Sequence, residues 1–241
     1  MTYTRAELFV LPIALSAMVF FALLLRFLTR KKPLWVQDLP FLCIAVAVLA
    51  LELVKQGKNI VDGYDTWTIP LHYCSTFAVW FPLAEFTRGN VRKRMQNIAF
   101  VASFCLLALF YFNPRSIIGG ACENVFGDFG AFHTFFYHHL ALLYCILGII
   151  FKRFRPDFHD GWLWISCMSV YLSIAVIFAF GFQTNYFNIL QSNVPFMEFI
   201  RVTFGQIAYL LFFFSLVLLG GASVFWIKAR FDKTDKRKTV A

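Results

Sequence analysis

The stretch LFVLPIALSAMVFFALLLRFLTRKK, residues 8–32, decides the class of fold. Residues 8–28 are apolar over a length that crosses a bilayer, because about 20 residues at helical rise cover the hydrocarbon core. Arg26, Arg30, Lys31 and Lys32 close the run as a stop-transfer cluster. Arg5 and Glu7 precede it, so there is no cationic n-region of the kind that opens a cleaved signal peptide. The segment reads as a retained transmembrane helix.

Six further apolar runs follow at residues 39–56, 69–86, 95–112, 132–151, 162–182 and 199–227. The run at 69–86 is the weakest, since Pro70, Pro82 and Glu85 interrupt it. The composition agrees with a membrane class: 60% of residues are hydrophobic and 15% charged, against about 25% charged in a soluble domain. The expected fold is all-α, a polytopic seven-transmembrane-helix bundle over residues 1–228 with a basic tail at 229–241.

Lys and Arg in the short loops set the orientation. The first connection carries Arg26, Arg30, Lys31 and Lys32, the third Arg88, Arg92, Lys93 and Arg94, the fifth Lys152, Arg153 and Arg155. The tail holds six more basic residues between Lys228 and Lys238. The even-numbered connections are poor in basic residues, with Lys58 in the second, Arg115 in the fourth and none at 183–198. The alternation predicts the N-terminus outside and the C-terminus in the cytoplasm. The net charge of +9 then belongs to topogenic loops and anionic headgroups, and no nucleic-acid partner is expected.

Lipid penalises buried charge, so ionisable residues inside apolar runs are site candidates. Glu52 and Lys55 share a helix face at i, i+3 and suit an ion pair. His72 and Cys74 follow Pro70; at i, i+2 they form a dyad only if the helix start is unwound. His133, His138 and His139 occupy the outer half of the fifth run, and Asn185 and Tyr186 lie just past the outer end of the sixth. The topology brings these segments to one level near the outer surface, which favours one site over scattered accidents. Cys43, Cys105, Cys145 and Cys167 read as small hydrophobes. A Cys74–Cys122 disulfide is an alternative use of that thiol in an oxidising compartment. No HExxH and no Cys pair at ligand spacing is present, so no metal and no cofactor is expected. Glu198 and Arg201 suit an i, i+3 pair, and Gly220-Gly221 a close helix contact.

The run Ile69-Pro70-Leu71-His72-Tyr73-Cys74-Ser75 resembles the Leu-Pro-Leu-His-Leu-Cys signature of the YwaF-type bacterial integral membrane proteins, which are similar to the eukaryotic transmembrane protein 164 family. Glu52-x-x-Lys55, Phe136-Tyr137-His138 and Thr184-Asn185-Tyr186 resemble further family motifs in the same order. His139 stands where the family tends to have Gly, and Phe187-Asn188-Ile189 departs from its usual Met-Phe/Tyr-Leu.

The resemblance implies a seven-helix bundle in a bacterial cytoplasmic membrane and an acyltransferase acting on membrane phospholipid. It implies Cys74 as nucleophile and His138 as general base. His72, Glu52, Lys55, Asn185, Tyr186 and His139 would bind or orient substrate or hold an oxyanion. Two other uses of the same polar cluster stay open: a small-solute transporter or receptor, and an assembly factor with a structural cluster. The sequence does not fix the oligomeric state, or transfer against hydrolysis.

Overall fold

The computed structural model describes residues 4–238; the last three residues of the basic tail lie outside the described residues. Among the described residues every regular element is helical and no strand occurs. The helices are α1 (Arg5–Thr29), α2 (Leu34–Val61), α3 (Phe77–Phe86), α4 (Gly89–Phe112), α5 (Arg115–Ile118), α6 (Phe129–Ile150), α7 (Phe158–Phe182) and α8 (Pro195–Lys238). Six of them, α1, α2, α4, α6, α7 and α8, are long and apolar enough to cross a membrane.

The expected third span is not one helix. Ile69 sits at φ −53°, ψ 134°, the extended conformation that a following proline imposes because its ring clashes with an α-helical neighbour. Short 3₁₀ turns at Thr66–Thr68 and Cys74–Thr76 precede α3, which has only 10 residues. At about 1.5 Å per residue such a helix covers roughly 15 Å, half the hydrocarbon thickness.

The last helix differs from expectation too. It begins at Pro195, where the missing N–H costs nothing, and continues beyond 227 to Lys238. Gly205 interrupts it at φ 87°, ψ 169°, a conformation open essentially to glycine alone.

The chain forms two compact units. In the first, residues 1–57 and 77–154, α3 packs on α4, α4 on α6 and α1 on α6. Helix α6 is its centre, with Tyr137, Ala141, Leu142, Cys145 and Leu147 buried. The exposed Leu8, Phe9, Ile13 and Phe20 give α1 an apolar outer face suited to acyl chains. Phe41, Phe81 and Tyr144 form an aromatic core, with Phe81 stacked on Tyr144 at 4.2 Å and Phe41 edge-on to Tyr144 at 5.3 Å.

In the second unit, residues 58–76 and 155–241, α7 packs on α8. The contact is close because Gly221 lies against the Trp164 ring, where a Cβ would come within 2.3 Å. Such small-residue contacts let membrane helices approach. Gly220 has nothing within 4 Å, so only the second glycine of the pair makes the expected contact.

Candidate functional site

In the first unit, the last turns of α2 present Glu52 to α6. Glu52 Oε1 accepts from Lys55 Nζ at 2.7 Å and from Gln56 Nε2 at 2.8 Å. The i, i+3 and i, i+4 spacings put all three on one face. Oε2 faces His133 Nε2 at 3.9 Å, beyond hydrogen-bond length. Neither atom has a hydrogen-bond partner. The Glu52 side chain is 7% exposed and that of His133 10%.

Helix α6 directs its three histidines differently. His133 stacks on Tyr137 at 5.0 Å and turns toward Glu52. His138 Nδ1 lies 2.6 Å from the Thr134 carbonyl oxygen, and His139 Nδ1 lies 2.7 Å from that of Phe135. Carbonyl oxygens only accept, so Nδ1 carries the proton in both neutral rings and Nε2 is the basic nitrogen. His139 is held between Phe135, at 4.0 Å, and Phe110, at 5.4 Å. Its neighbours are thus aromatic, and its Nε2 is buried without a hydrogen-bond partner. His138 is buried as well and meets the Tyr137 ring edge-on.

In the second unit, Cys74 opens a 3₁₀ turn and is half-buried. The helix start is therefore unwound, the condition under which His72 and Cys74 escape the i, i+2 geometry of a helix. The segment leading to Cys74 is held at several points. Asn59 and Asp65 exchange two hydrogen bonds, at 3.2 and 3.0 Å. Asp65 caps the first turn by accepting from the Trp67 N–H at 2.9 Å. Tyr171 of α7 donates to the carbonyls of His72, at 2.9 Å, and Pro70, at 3.2 Å. Tyr186 donates its phenol hydrogen to the Thr66 carbonyl. His72 Nε2 donates to the Trp67 carbonyl at 3.0 Å, and its ring lies 4.4 Å from Trp67 and 5.5 Å from Tyr186.

Asn185 serves its own loop: Oδ1 accepts from the N–H groups of Leu190, at 2.9 Å, and Gln191, at 3.2 Å, while Nδ2 donates to the Gln191 carbonyl at 3.0 Å. Phe187 and Asn188 beside it adopt left-handed backbone, φ 53° and 59°. A bulky residue there is strained by about 1–3 kcal/mol and stays only where its surroundings over-determine it. Here Phe187 packs on Tyr73 at 5.3 Å and Phe213 at 5.7 Å, Tyr209 donates to the Asn188 carbonyl, and Gln206 Nε2 donates to the Ile189 carbonyl at 2.6 Å.

A second polar cluster in the first unit escaped the sequence. Glu85 of α3, with a side chain 1% exposed, accepts from Tyr144 at 2.8 Å and lies 3.3 Å from both Arg92 and Arg153. Asp38 bridges the same two guanidinium groups at 2.7 and 3.0 Å. The Gln96 amide oxygen, in the orientation that satisfies its neighbours, accepts from Arg153 Nη2 at 2.7 Å and Arg92 Nε at 3.1 Å. Arg153 also lies over the Phe41 ring at 3.9 Å. Two carboxylates and two guanidinium groups thus join α2, α3, α4 and the segment just after α6. Glu85 inside an apolar run was the available signal, since a carboxylate there requires a partner.

All six cysteines are thiols, so Cys74 and Cys122 are not joined. Among the described residues no group of three His, Cys, Asp or Glu side chains is disposed to hold a metal ion. No curated protein and no solved structure matches the chain. The family model described as "TMEM164 family" matches residues 2–226. With nearly the whole sequence matched and six membrane-length apolar helices, this chain is an integral membrane protein that belongs to the TMEM164 family.

Proposed function

We propose that the protein is a membrane-embedded acyl-transfer enzyme acting on phospholipid acyl chains. Cys74 attacks the acyl ester, His138 accepts the thiol proton and returns it to the leaving alcohol, and an acyl thioester on Cys74 joins the two halves of the reaction. Both His138 and Cys74 would then have to meet at one acyl ester. His72, Lys55, Tyr186, Asn185, Glu52 and His139 bind or orient the lipid or hold the oxyanion.

The observation that carries this proposal is the His138 tautomer. Its Nδ1–H is held by the Thr134 carbonyl at 2.6 Å, which makes Nε2 the proton acceptor a general base needs. The unwound turn at Cys74 agrees with it, since a nucleophile on a turn has more approach directions than one inside a helix.

The proposal includes seven crossings, with residues 69–86 as the third, the N-terminus outside and residues 229–241 in the cytoplasm. The membrane is a bacterial cytoplasmic one. Purified protein in proteoliposomes tests the activity: Cys74→Ala and His138→Ala each abolish transfer of a labelled acyl chain between phospholipids. Transfer retained by Cys74→Ala removes the mechanism.

One observation favours a second function, a small-solute transporter. Interrupted helices line the binding sites of many transporters, and α8 is interrupted at Gly205. A transporter shows solute uptake that depends on Glu52 and forms no acyl adduct.

A further inference from the structure

Residues 70–76 depart from the helical pattern, and their backbone needs partners from outside. In a continuous helix a carbonyl accepts from the N–H four residues on. Here the Ser75 N–H bonds to the His72 carbonyl at 3.0 Å and the Thr76 N–H to that of Tyr73 at 3.2 Å. The first of these bonds closes a four-residue turn, His72 to Ser75, with Cys74 as its third residue. Non-helical backbone persists inside a membrane protein only where neighbouring groups satisfy it. Tyr171 of α7 does so: its hydroxyl lies 2.9 Å from the His72 carbonyl oxygen and 3.2 Å from that of Pro70. The one phenol hydrogen is shared between the two.

Tyrosines of membrane helices gather at the two interfaces. Tyr171 instead stands midway along α7, 13 residues after Phe158 and 11 before Phe182. Helix α7 is long and apolar enough to cross the membrane, so a phenol at its middle requires an acceptor. The helix that carries it is firmly held. Met168, three residues earlier, and Ala175, four residues later, share its face and are fully buried. The Tyr171 ring lies 5.9 Å from that of Phe187, and Phe187 meets Tyr73 edge-on at 5.3 Å. Both residues before Cys74 are thus fastened, His72 by its carbonyl and Tyr73 by its ring.

We propose that Tyr171 is a positioning residue for the Cys74 nucleophile: its hydroxyl, bonded to the oxygen that closes the turn, fixes the direction in which the thiol meets the acyl ester. This rests on the acyl-transfer function above. Tyr171 acts through the His72 carbonyl and takes no part in proton transfer. A nucleophile has to be held at near-attack separation, and a misplacement of about 1 Å costs on the order of 100-fold in rate. A turn closed by its own backbone bond alone holds a thiol loosely. The same turn tied to a buried helix holds it in one direction.

The test uses the full-length protein in liposomes with a donor phospholipid labelled in its acyl chain. Two rates are read on the Cys74 peptide by mass spectrometry: formation of the acyl adduct, and alkylation by iodoacetamide, a small reagent that needs no positioned lipid. Tyr171→Phe removes the hydroxyl and keeps the ring against Phe187. It is expected to slow adduct formation at saturating donor about 10–100-fold, with the half-saturating donor concentration and the alkylation rate each within about twofold of wild type. Adduct formation at the wild-type rate overturns the assignment. An equal fall in both rates overturns it too, since that marks a general loosening of the fold, as does a rise in the half-saturating concentration alone, which makes Tyr171 a lipid contact. In all three cases Cys74 remains the nucleophile. If Tyr171→Phe does not keep the wild-type elution profile, Tyr171→His replaces it: it keeps an aromatic ring and an N–H donor while withdrawing the donor from the turn, and the same outcomes decide. Absence of any adduct in the wild type defeats the Cys74 mechanism, and this inference falls with it.

Discussion

His138 Nδ1 lies 2.6 Å from the carbonyl oxygen of Thr134, four residues earlier on α6. This bond fixes the ring's tautomer and its direction together. His138→Asn is expected to lower acyl transfer by about 10²–10⁴-fold, the usual contribution of a positioned base. Asn retains a polar group near the Thr134 carbonyl, so the thermal midpoint should move little. Rate and melting measured on the same preparation separate loss of a base from loss of packing.

The buried Glu85 cluster gives a stability prediction. Removing one partner of a buried ion pair costs about 3–5 kcal/mol, because the remaining charges stay buried. Glu85→Ala leaves Arg92 and Arg153 with Asp38 as their carboxylate partner in this cluster, and takes the acceptor from Tyr144. Its midpoint should fall well below that of Asp38→Ala, since Asp38 is 30% exposed and Glu85 is 1% exposed. Equal midpoints would show that Glu85 does not anchor the network.

Neighbouring glycines in α8 should differ. Gly221→Val drives a side chain into the Trp164 ring, and overpacking of this kind costs about 1–3 kcal/mol. Gly220→Val meets open space and should leave the midpoint nearly unchanged. Thermal unfolding of the two variants in one detergent is a matched comparison.

Cys122 lies in the connection between α5 and α6. Burial pushes its thiol up to about 11, with the Glu7 and Glu123 carboxylates adding to the effect. Only the thiolate reacts with maleimide. A raised value means little thiolate at neutral pH, so labelling of Cys122 should be slow at pH 7 and rise about tenfold per pH unit until pH approaches 11. A plateau near pH 9 would contradict the buried setting.

Orientation is tested at the ends of the chain. Alkaline phosphatase, active only outside the cytoplasm, should be inactive when fused after residue 241 and active when fused before residue 1. Green fluorescent protein at the same sites should give the reverse pattern. An active C-terminal phosphatase fusion contradicts the proposed topology.

Much of the helical plan is legible in the sequence because burying backbone in lipid leaves few choices. Residues 8–28 could hardly be anything but a spanning helix. The Glu52–Lys55 pair is legible for a similar reason, since helix spacing dictates it and a carboxylate in apolar surroundings needs a cation. The third segment was not legible in detail. Its hydropathy suggests one helix, while Pro70 forces Ile69 extended and the chain makes two short turns instead. The three bonds that tie Asn185 to its own loop were not legible either, because they depend on the left-handed turn that follows it. The Glu85 cluster was hidden because Arg92 and Arg153 satisfy a loop-charge rule whether or not they also turn inward. Likewise, the sequence offers three histidines on α6, and only packing separates the one facing Glu52 from the one held between phenylalanine rings.

Mass spectrometry of residue 74 tests the central claim most directly. Wild-type protein incubated with phospholipid carrying a labelled acyl chain should yield a Cys74 peptide heavier by that chain, released by hydroxylamine as expected of a thioester. An unmodified Cys74 peptide from a preparation that is actively transferring acyl chains would contradict the account.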